Sequence, residues 1–325
     1  MNNKKEIWER LHKQKDIWDC LSVYNYTYYF NHNKESIALR NFKSKKLPSY
    51  AYDLTIIGRL LTKLCTCSNI MSRRPGSEDV TLYCMLNKPH GSFLTKKLDS
   101  KFMQTANPPI KWRRDIIRTR LDSLVYDYAI EKNEDFAFLD IGSGGSFDGL
   151  EIDRLMTGLR DSLDSSKSVS NYKTVNIDID DIWLAIGDLL YDKLFGDKSK
   201  AISINDSIFS YLEKQRYKND LSNFDNLIVS CNGFAEFLED DLLVKLYMDI
   251  YDMTRHFDGQ IDLILPYAVR SSKQERLGKV IGFNYLAREK NYMLRLCSLI
   301  FPGFEVNYEE KHSQIVLLLR RNARK

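Results

Sequence analysis

The stretch that decides the fold is FAFLDIGSGGSFDGLEI, residues 136–152. It opens with six mainly apolar residues, which is the length and pattern of a buried strand. A turn of glycines and serines follows, and then a segment with helical spacing. Small residues let the main chain approach a ligand closely, and the first turn of a helix offers unpaired N–H groups. The stretch therefore predicts a strand, a turn and a helix, and the turn by itself is compatible with either ligand binding or a purely structural role.

Strand and helix patterns alternate along the rest of the chain. Helices are predicted between the strands, at 149–163, 181–194, 207–215 and 239–256 and near 285–300. This order predicts an α/β fold, with a Rossmann-like, mostly parallel sheet, helices on both faces and a C-terminal antiparallel hairpin. The predicted strands are FAFLDI (136–141), TVNID (174–178), AISIN (201–205), FDNLIVS (224–230), IDLILPY (261–267), FEVNYEE (304–310) and SQIVLLLRR (313–321).

The residues before the first strand have helical patterns without strands. Helices are predicted at 3–23, 50–66 and 110–132, and the last of these follows the breaker Asn107-Pro108-Pro109. A tyrosine-rich segment occupies 23–30, and a polar loop with a Pro-Gly turn is predicted at 72–79. We therefore expect two domains. They are a mainly helical one over 1–125 and an α/β one over 126–325.

Charge divides unevenly between the two parts. Residues 1–120 hold 23 Lys and Arg against 10 Asp and Glu, a net charge of +13, whereas the remainder has 25 against 34, a net charge of −9. The basic part could grip an anionic substrate or nucleic acid, or it could pack against the acidic part. No segment has the pattern of a membrane span or a signal peptide, so we expect a cytoplasmic protein that does not enter a membrane.

The sequence predicts no metal site. Its six cysteines are scattered, and the only close pair, Cys65 and Cys67, lacks the C-x-x-C spacing of a zinc knuckle. The five histidines form no pair suited to metal binding or acid–base work. We interpret the thiols as structural.

The chemistry of the glycine turn excludes two common nucleotide sites. No Gly-Lys-Ser/Thr follows it, as the phosphate loop of an NTPase requires. A third glycine at the spacing of the dinucleotide fingerprint is missing as well, and Asp140, two residues before Gly142, would repel a pyrophosphate. A ligand with a cationic amino-acid end would suit Asp140 better.

At this point the sequence resembles the class I S-adenosylmethionine-dependent methyltransferases. Their first motif is an apolar strand ending in Asp/Glu-x-Gly-x-Gly, which residues 139–144 match, whereas the third glycine of the family falls on Ser146. The resemblance implies S-adenosylmethionine as the cofactor. The binding residues that it implies in this turn are Asp140, Gly142, Ser143 and Gly144.

Two later landmarks of the family follow in order. An acid at the end of the second strand binds the ribose hydroxyls, and Asp178 stands there, with Asp180 as an alternative. A carboxylate suits this role because it can accept from both hydroxyls. An acid followed by a small residue after the third strand meets the adenine, and Asp206 and Ser207 match it.

The fourth landmark concerns the acceptor. Residues 230–234, SCNGF, would border the methyl group, with Asn232 as a cofactor contact. They lack the prolines that amino-methylating DNA enzymes of this fold carry there, which disfavours an acceptor of that type. We expect a methyltransferase (EC 2.1.1.-) with a small-molecule acceptor. The resemblance implies that residues 1–125 bind the acceptor or act as a lid, and that residues 126–325 bind S-adenosylmethionine. Glu236 and Tyr267, which would lie at the carboxyl ends of the fourth and fifth strands, are the candidate acceptor-binding residues.

Three other functions fit the same residues. The glycine turn and the N-terminal helices also resemble nicotianamine-synthase-like enzymes, which transfer the aminocarboxypropyl group of the same cofactor. The basic N-terminal part leaves an RNA methyltransferase open. A catalytically silent adaptor that retains the fold is the remaining alternative. The sequence predicts neither a catalytic base nor an oligomeric state.

Overall fold

The computed structural model shows an α/β chain whose sheet begins at Phe136. The helix predicted at 3–23 and the tyrosine-rich segment at 23–30 lie outside the residues that it describes. So do residues 50–55 of the helix predicted at 50–66. The described residues are 56–73, 78–86, 89, 92–162, 169–271, 278–281 and 285–324.

The sheet has seven strands in the order β3-β2-β1-β4-β5-β7-β6. The first five are parallel, whereas β7 runs antiparallel to both β5 and β6. This is the doubly wound order with a C-terminal hairpin added, so the predicted fold class is confirmed. The strands are β1 (Phe136–Ile141), β2 (Tyr172–Asp178), β3 (Ala201–Asn205), β4 (Asn226–Ser230), β5 (Ile261–Ala268), β6 (Glu305–Lys311) and β7 (Gln314–Arg321).

Helices cover both faces of the sheet. The central strands β1, β4 and β5 are therefore buried along their whole length. Leu139, Val229 and Leu263 belong to the core on one face, and Phe138, Ile228 and Ile264 to the core on the other. The helices in the described part of the chain include α1 (Ile56–Leu64), α2 (Thr66–Arg73), α3 (Glu78–Leu86), α4 (Phe93–Tyr126), α5 (Phe147–Ser162), α6 (Asp181–Phe195), α7 (Ile208–Glu213), α8 (Tyr217–Asp220), α9 (Asp240–Thr254) and α10 (Lys290–Ile300).

The structure corrects the predicted start of the long helix. We expected Pro108 and Pro109 to precede it, but α4 begins at Phe93 and runs through both prolines. Proline has no N–H, so the carbonyl groups of Gln104 and Thr105 lose their helical partners. The flanking turns bury Phe102, Met103 and Ala106 on one side of the prolines and Ile117 and Leu121 on the other, and this packing outweighs the local cost.

The polar loop predicted at 72–79 is also shorter than expected. Residues 72–73 end α2 and residues 78–79 begin α3, and the residues between them are not described. In contrast, the predicted end of the long helix is confirmed. After Tyr126 it continues as a π-helical turn, Asp127–Lys132, which stops where Asn133 adopts a left-handed conformation with φ of 56°.

The two halves of α4 pack on different partners. Its N-terminal half contributes Phe102, Met103 and Ala106 to a small helical core with α2 and α3. Its C-terminal half contributes Ile117 and Leu121 to the core beneath the sheet. One continuous helix therefore links the helical part of the chain to the sheet, and the domain boundary at 125–126 stays a prediction.

Gly149 lies where α5 packs closely against the sheet. A Cβ there would lie 2.7 Å from Thr174 Cγ2 and 2.8 Å from Asn176 Oδ1, and it would also collide with the Tyr191 hydroxyl. We expect Gly149→Ala to lower the free energy of unfolding by about 1–3 kcal/mol, because overpacking must push α5 away from β2. Denaturant titration measures this loss in the free energy of unfolding. The loss should be smaller in a Tyr191→Phe background, and equal losses in both backgrounds would contradict this packing.

Candidate functional site

A cavity of about 640 Å³ opens at the carboxyl ends of the parallel strands. The loops after β1, β2, β3 and β4 form its floor, and one face of α4 borders it through residues 105, 106, 109, 110, 113 and 114. Its size lies within the range of about 300–1,000 Å³ that small-molecule sites occupy. The cavity sits where the strand order reverses, which is the usual ligand position in doubly wound sheets.

The glycine turn forms part of this floor. Gly142 and Gly144 have φ angles of 67° and 52°, and Ser146 has φ of 58°. A Cβ on Gly142 would lie 2.8 Å from Phe234 Cβ, so both its backbone angle and its surroundings require glycine. Ser146, which stands where the family has its third glycine, therefore holds a left-handed conformation that costs an ordinary residue about 1–2 kcal/mol.

Asp178 joins this turn to the end of β2. Its Oδ2 atom accepts from the Gly144 N–H at 2.7 Å, and its Oδ1 atom accepts from the Asp180 N–H at 2.8 Å. Burial raises the pKa of Asp178, whereas these two hydrogen bonds act in the opposite direction. Each oxygen keeps a second lone pair for a ligand hydroxyl. The alternative residue, Asp180, caps α6 instead, because its side chain accepts from the Trp183 N–H at 3.3 Å.

Carboxyl groups are crowded beneath the turn. Arg114 lies between Glu78 and Asp148, with Nη1 to Oε1 at 4.0 Å and Nη2 to Oδ1 at 3.9 Å. Burial raises the pKa of Glu78 to about 8, against the opposing charge of Arg114. Burial and the neighbouring Asp148 also raise the pKa of Asp140 well above its usual range. These carboxyl groups therefore hold their protons to a higher pH than usual, and the negative charge around the turn grows as the pH rises.

Asp140 itself is the most enclosed of these acids. It is 2% exposed, and its carboxylate receives no hydrogen bond from the residues that the structure describes. Buried carboxylates ordinarily have partners, because desolvation of an unpaired one is costly. A cationic group bound at the turn would supply the missing counter-charge.

Arg113, the neighbour of Arg114 on α4, forms a buried ion pair with Glu236. Its Nη1 atom lies 3.0 Å from Oε1 and 3.1 Å from Oε2, and it also donates to Gln314 Oε1 at 3.2 Å. Asn232 lies between the two clusters and donates to Asp148 Oδ2 at 3.4 Å, while its own Oδ1 atom is buried without a hydrogen-bond partner.

The structure brings most of the ten predicted site residues together. Asp140 and Ser143 lie behind the surface of the cavity as buried residues. The structure does not bring Tyr267 to the cavity. This residue of β5 is 1% exposed, and its side chain packs in the core on one face of the sheet. Asp206 accepts from the Ser207 N–H at 2.8 Å and from the Ser210 hydroxyl at 3.1 Å. The predicted residues that line the cavity are Gly142, Gly144, Asp178, Asp206, Ser207, Asn232 and Glu236.

Sequence reasoning missed Glu78, Arg113 and Arg114, all of which line the cavity. They precede the first strand and belong to no motif, and α4 carries both arginines to the sheet. The only signal in the sequence is the adjacent Arg113-Arg114 pair one turn after Pro109.

Among the described residues, no cluster of three or more His, Cys, Asp or Glu side chains could hold a metal ion. No helix described here is long and apolar enough to cross a membrane.

The predicted resemblance to class I methyltransferases is confirmed for the fold, by the order and direction of the strands. No protein-family model and no curated protein matches this sequence. Similar solved structures include a magnesium protoporphyrin IX methyltransferase from Synechocystis with bound SAH. It is 11% identical and has a TM-score of 0.45, covering 79% of this chain and 100% of its own.

Two further solved structures are similar in the same way. An O-methyltransferase family protein from Burkholderia thailandensis is 5% identical with a TM-score of 0.46, over 88% of this chain and 76% of its own. A precorrin-6y C5,15-methyltransferase from Geobacter metallireducens is 11% identical with a TM-score of 0.36, over 62% of this chain and 87% of its own. At these values the three say nothing about the activity of this chain.

The left-handed backbone conformation of Ser146 leads to a prediction about stability. We expect Ser146→Gly to raise the free energy of unfolding by about 1 kcal/mol, because glycine relieves the backbone strain and removes a buried hydroxyl without a partner. Ser143→Gly is the matched control, since its hydroxyl is also buried without a partner but its φ is not positive. It should gain less or lose stability, and an equal gain in both variants would contradict the strain.

Proposed function

We propose that this protein is an S-adenosylmethionine-dependent methyltransferase. The observation that carries the proposal is the crowding of Glu78, Asp140, Asp148 and Asp178 around Arg114 beneath the glycine turn. Each of these carboxyl groups that ionises disfavours a phosphate, and a ligand that bears a sulfonium and an ammonium group favours the ionised form and is attracted by it. Glycine turns at strand ends also bind phosphates, so the sign of the charge separates the two classes of cofactor.

The residues at the turn suit this cofactor. We assign the ammonium end to Asp140 and Glu78, and the ribose hydroxyls to the free lone pairs of Asp178. The adenine would lie by Asp206 and Ser207 against apolar side chains. One of these, Ile179, is 74% exposed, which is unusual for an isoleucine and fits a surface that a flat ring covers. When bound, the cofactor supplies an electrophilic methyl group on sulfur.

Methyl transfer needs positioning more than acid–base chemistry. The residues that wall the cavity would fix the direction from which an acceptor atom approaches the methyl group. Phe234, whose Cβ abuts the backbone of Gly142, places the end of β4 beside the glycine turn. We propose that Asn232 and Glu236 face the acceptor on this side. A small-molecule acceptor suits the size of the cavity.

Affinity for the cofactor tests the site. We expect Asp178→Ala to weaken binding of S-adenosylmethionine at least tenfold in calorimetry, because both the ribose contact and the brace on Gly144 are lost. Asp181→Ala, which removes an exposed acid in the first turn of α6, is the control and should bind normally. If folded Asp178→Ala bound S-adenosylmethionine with unchanged affinity, the assignment of Asp178 to the cofactor site would be wrong.

The reaction product then separates the alternatives. S-adenosylhomocysteine indicates methyl transfer, whereas methylthioadenosine indicates transfer of the aminocarboxypropyl group. Steeply salt-dependent binding of RNA would favour an RNA acceptor. A folded protein that binds no cofactor but binds a protein partner would be an adaptor.

The raised pKa of Glu78 predicts how binding depends on pH. As the pH rises through about 8, Glu78 loses its proton and becomes an anion beside the turn. The ratio of affinities for S-adenosylmethionine over S-adenosylhomocysteine should therefore rise up to about tenfold between pH 6.5 and 9, because only the former carries the sulfonium. Glu78→Gln, which cannot ionise, should flatten this dependence. A profile that is the same in both proteins would contradict the role of Glu78.

A further inference from the structure

We infer that the acceptor carries a carboxylate group and that Arg113 binds it. The inference rests on the proposed function and names the class of acceptor that this chain methylates. It comes from the state of the Arg113 guanidinium, which lines the cavity on the side of β4.

Arg113 is buried but only partly used. It is 9% exposed, and its Nη1 atom alone makes the contacts to both Glu236 oxygens and to Gln314. Neither Nη2 nor Nε donates to any residue in the described part of the chain. A guanidinium has five N–H donors, and Nη2 and Nε of Arg113 are not among the fully buried atoms without partners, so this edge reaches the cavity that Arg113 lines. The unused edge is therefore suited to a ligand acceptor.

The surroundings keep this edge open. A Cβ at residue 233 would lie 3.2 Å from Arg113 Nη2, so glycine at this position leaves space beside the guanidinium. Gly233 also has φ of 81°, which favours glycine there. It directly precedes Phe234, which packs against the glycine turn, and a group on this edge would thus lie near the reacting end of the cofactor.

The charge of the site favours a carboxylate over a phosphate. Glu236 already balances the charge of Arg113, and the neighbouring Arg114 has two acids, Glu78 and Asp148, beside it. A dianionic phosphate would meet this surplus of negative charge, whereas a single carboxylate has less to overcome. The planar Nη2–Nε edge also matches the two oxygens of a carboxylate, which forms two parallel hydrogen bonds with it.

The rest of the acceptor should be apolar. The turns of α4 before Arg113 present Pro109 and Ile110 to the cavity, and aromatic residues after β4 complete the wall. Burial of such a body supplies the affinity, while the carboxylate fixes its orientation. The apolar wall consists of Pro109, Ile110, Phe234, Phe237, Ile281 and Tyr285.

Pairs of acids and amides test the inference. The probes are phenylacetate, indole-3-acetate and octanoate, each compared with its primary amide, which has the same shape without the charge. Dissociation constants are measured by calorimetry or ligand-observed NMR, with and without saturating S-adenosylhomocysteine. We expect at least one acid to bind the wild-type protein at least tenfold more tightly than its amide.

The variants locate the effect. Arg113→Gln should remove the preference for the acid. Arg113→Lys is the second variant, because it keeps a charge for Glu236 but loses the planar edge, and it should reduce the preference at least tenfold. Arg120→Gln is the matched control on the same helix, since Arg120 is 44% exposed and pairs with Glu309 at the surface. It should keep the preference.

Several results would overturn the inference. They are the absence of acid binding, equal binding of acids and amides, and an acid preference that survives in Arg113→Lys. A loss of S-adenosylhomocysteine affinity in Arg113→Lys, with acid binding unchanged, would place Arg113 on the cofactor instead. Failure of the proposed function appears differently. The wild-type protein would not bind S-adenosylhomocysteine, while the acid preference would still be measured without it.

Discussion

The packing of α4 beneath the sheet is the constraint on which the site depends. Ile117, Leu121 and Val125 are almost fully buried in the core under β1 and β4. Their burial fixes both the rotation and the position of the helix along its axis. Arg113 and Arg114 lie one turn further toward the N-terminus, and they are therefore held over the carboxyl ends of the strands. Without this packing, neither arginine would have a defined place in the cavity.

The two neighbouring arginines meet different surroundings because they point to different sides of the helix. Arg114 faces Glu78 and Asp148 at distances of 4.0 and 3.9 Å, which are long for ion pairs, and the acids outnumber it. Arg113 makes closer contacts with Glu236 and leaves one edge of its guanidinium free. One side of the cavity is consequently suited to a cation and the other to an anion. In the proposed function, this separation of charge would hold a cationic cofactor and an anionic acceptor next to each other.

Glu78 shows that a helix before the sheet reaches the glycine turn. A Cβ on Gly144 would lie 2.7 Å from Glu78 Oε2, so the first residue of α3 touches the glycine turn. The expected division, in which residues 1–125 serve the acceptor and the remainder serves the cofactor, stays a prediction, and the proposed function would make Glu78 an exception to it. Burial of its carboxyl group in a low-dielectric site couples its protonation to the charge of whatever binds there.

The sequence by itself determined the strands, their alternation with helices and the chemistry of the glycine turn. These features are local. Apolar runs and small residues at a strand end specify them without reference to distant parts of the chain, and the parallel order then brings Asp178, Asp206 and Asn232 to one edge.

Only the tertiary structure decided the rest. It carried α4 through Pro108 and Pro109, because packing on both sides of the prolines outweighs a local penalty that sequence reasoning took as a helix boundary. It also placed Glu78, Arg113 and Arg114 in the cavity and buried Tyr267 in the core. Which side chains meet across long separations in sequence depends on how the helices pack on the sheet, and no local pattern encodes that.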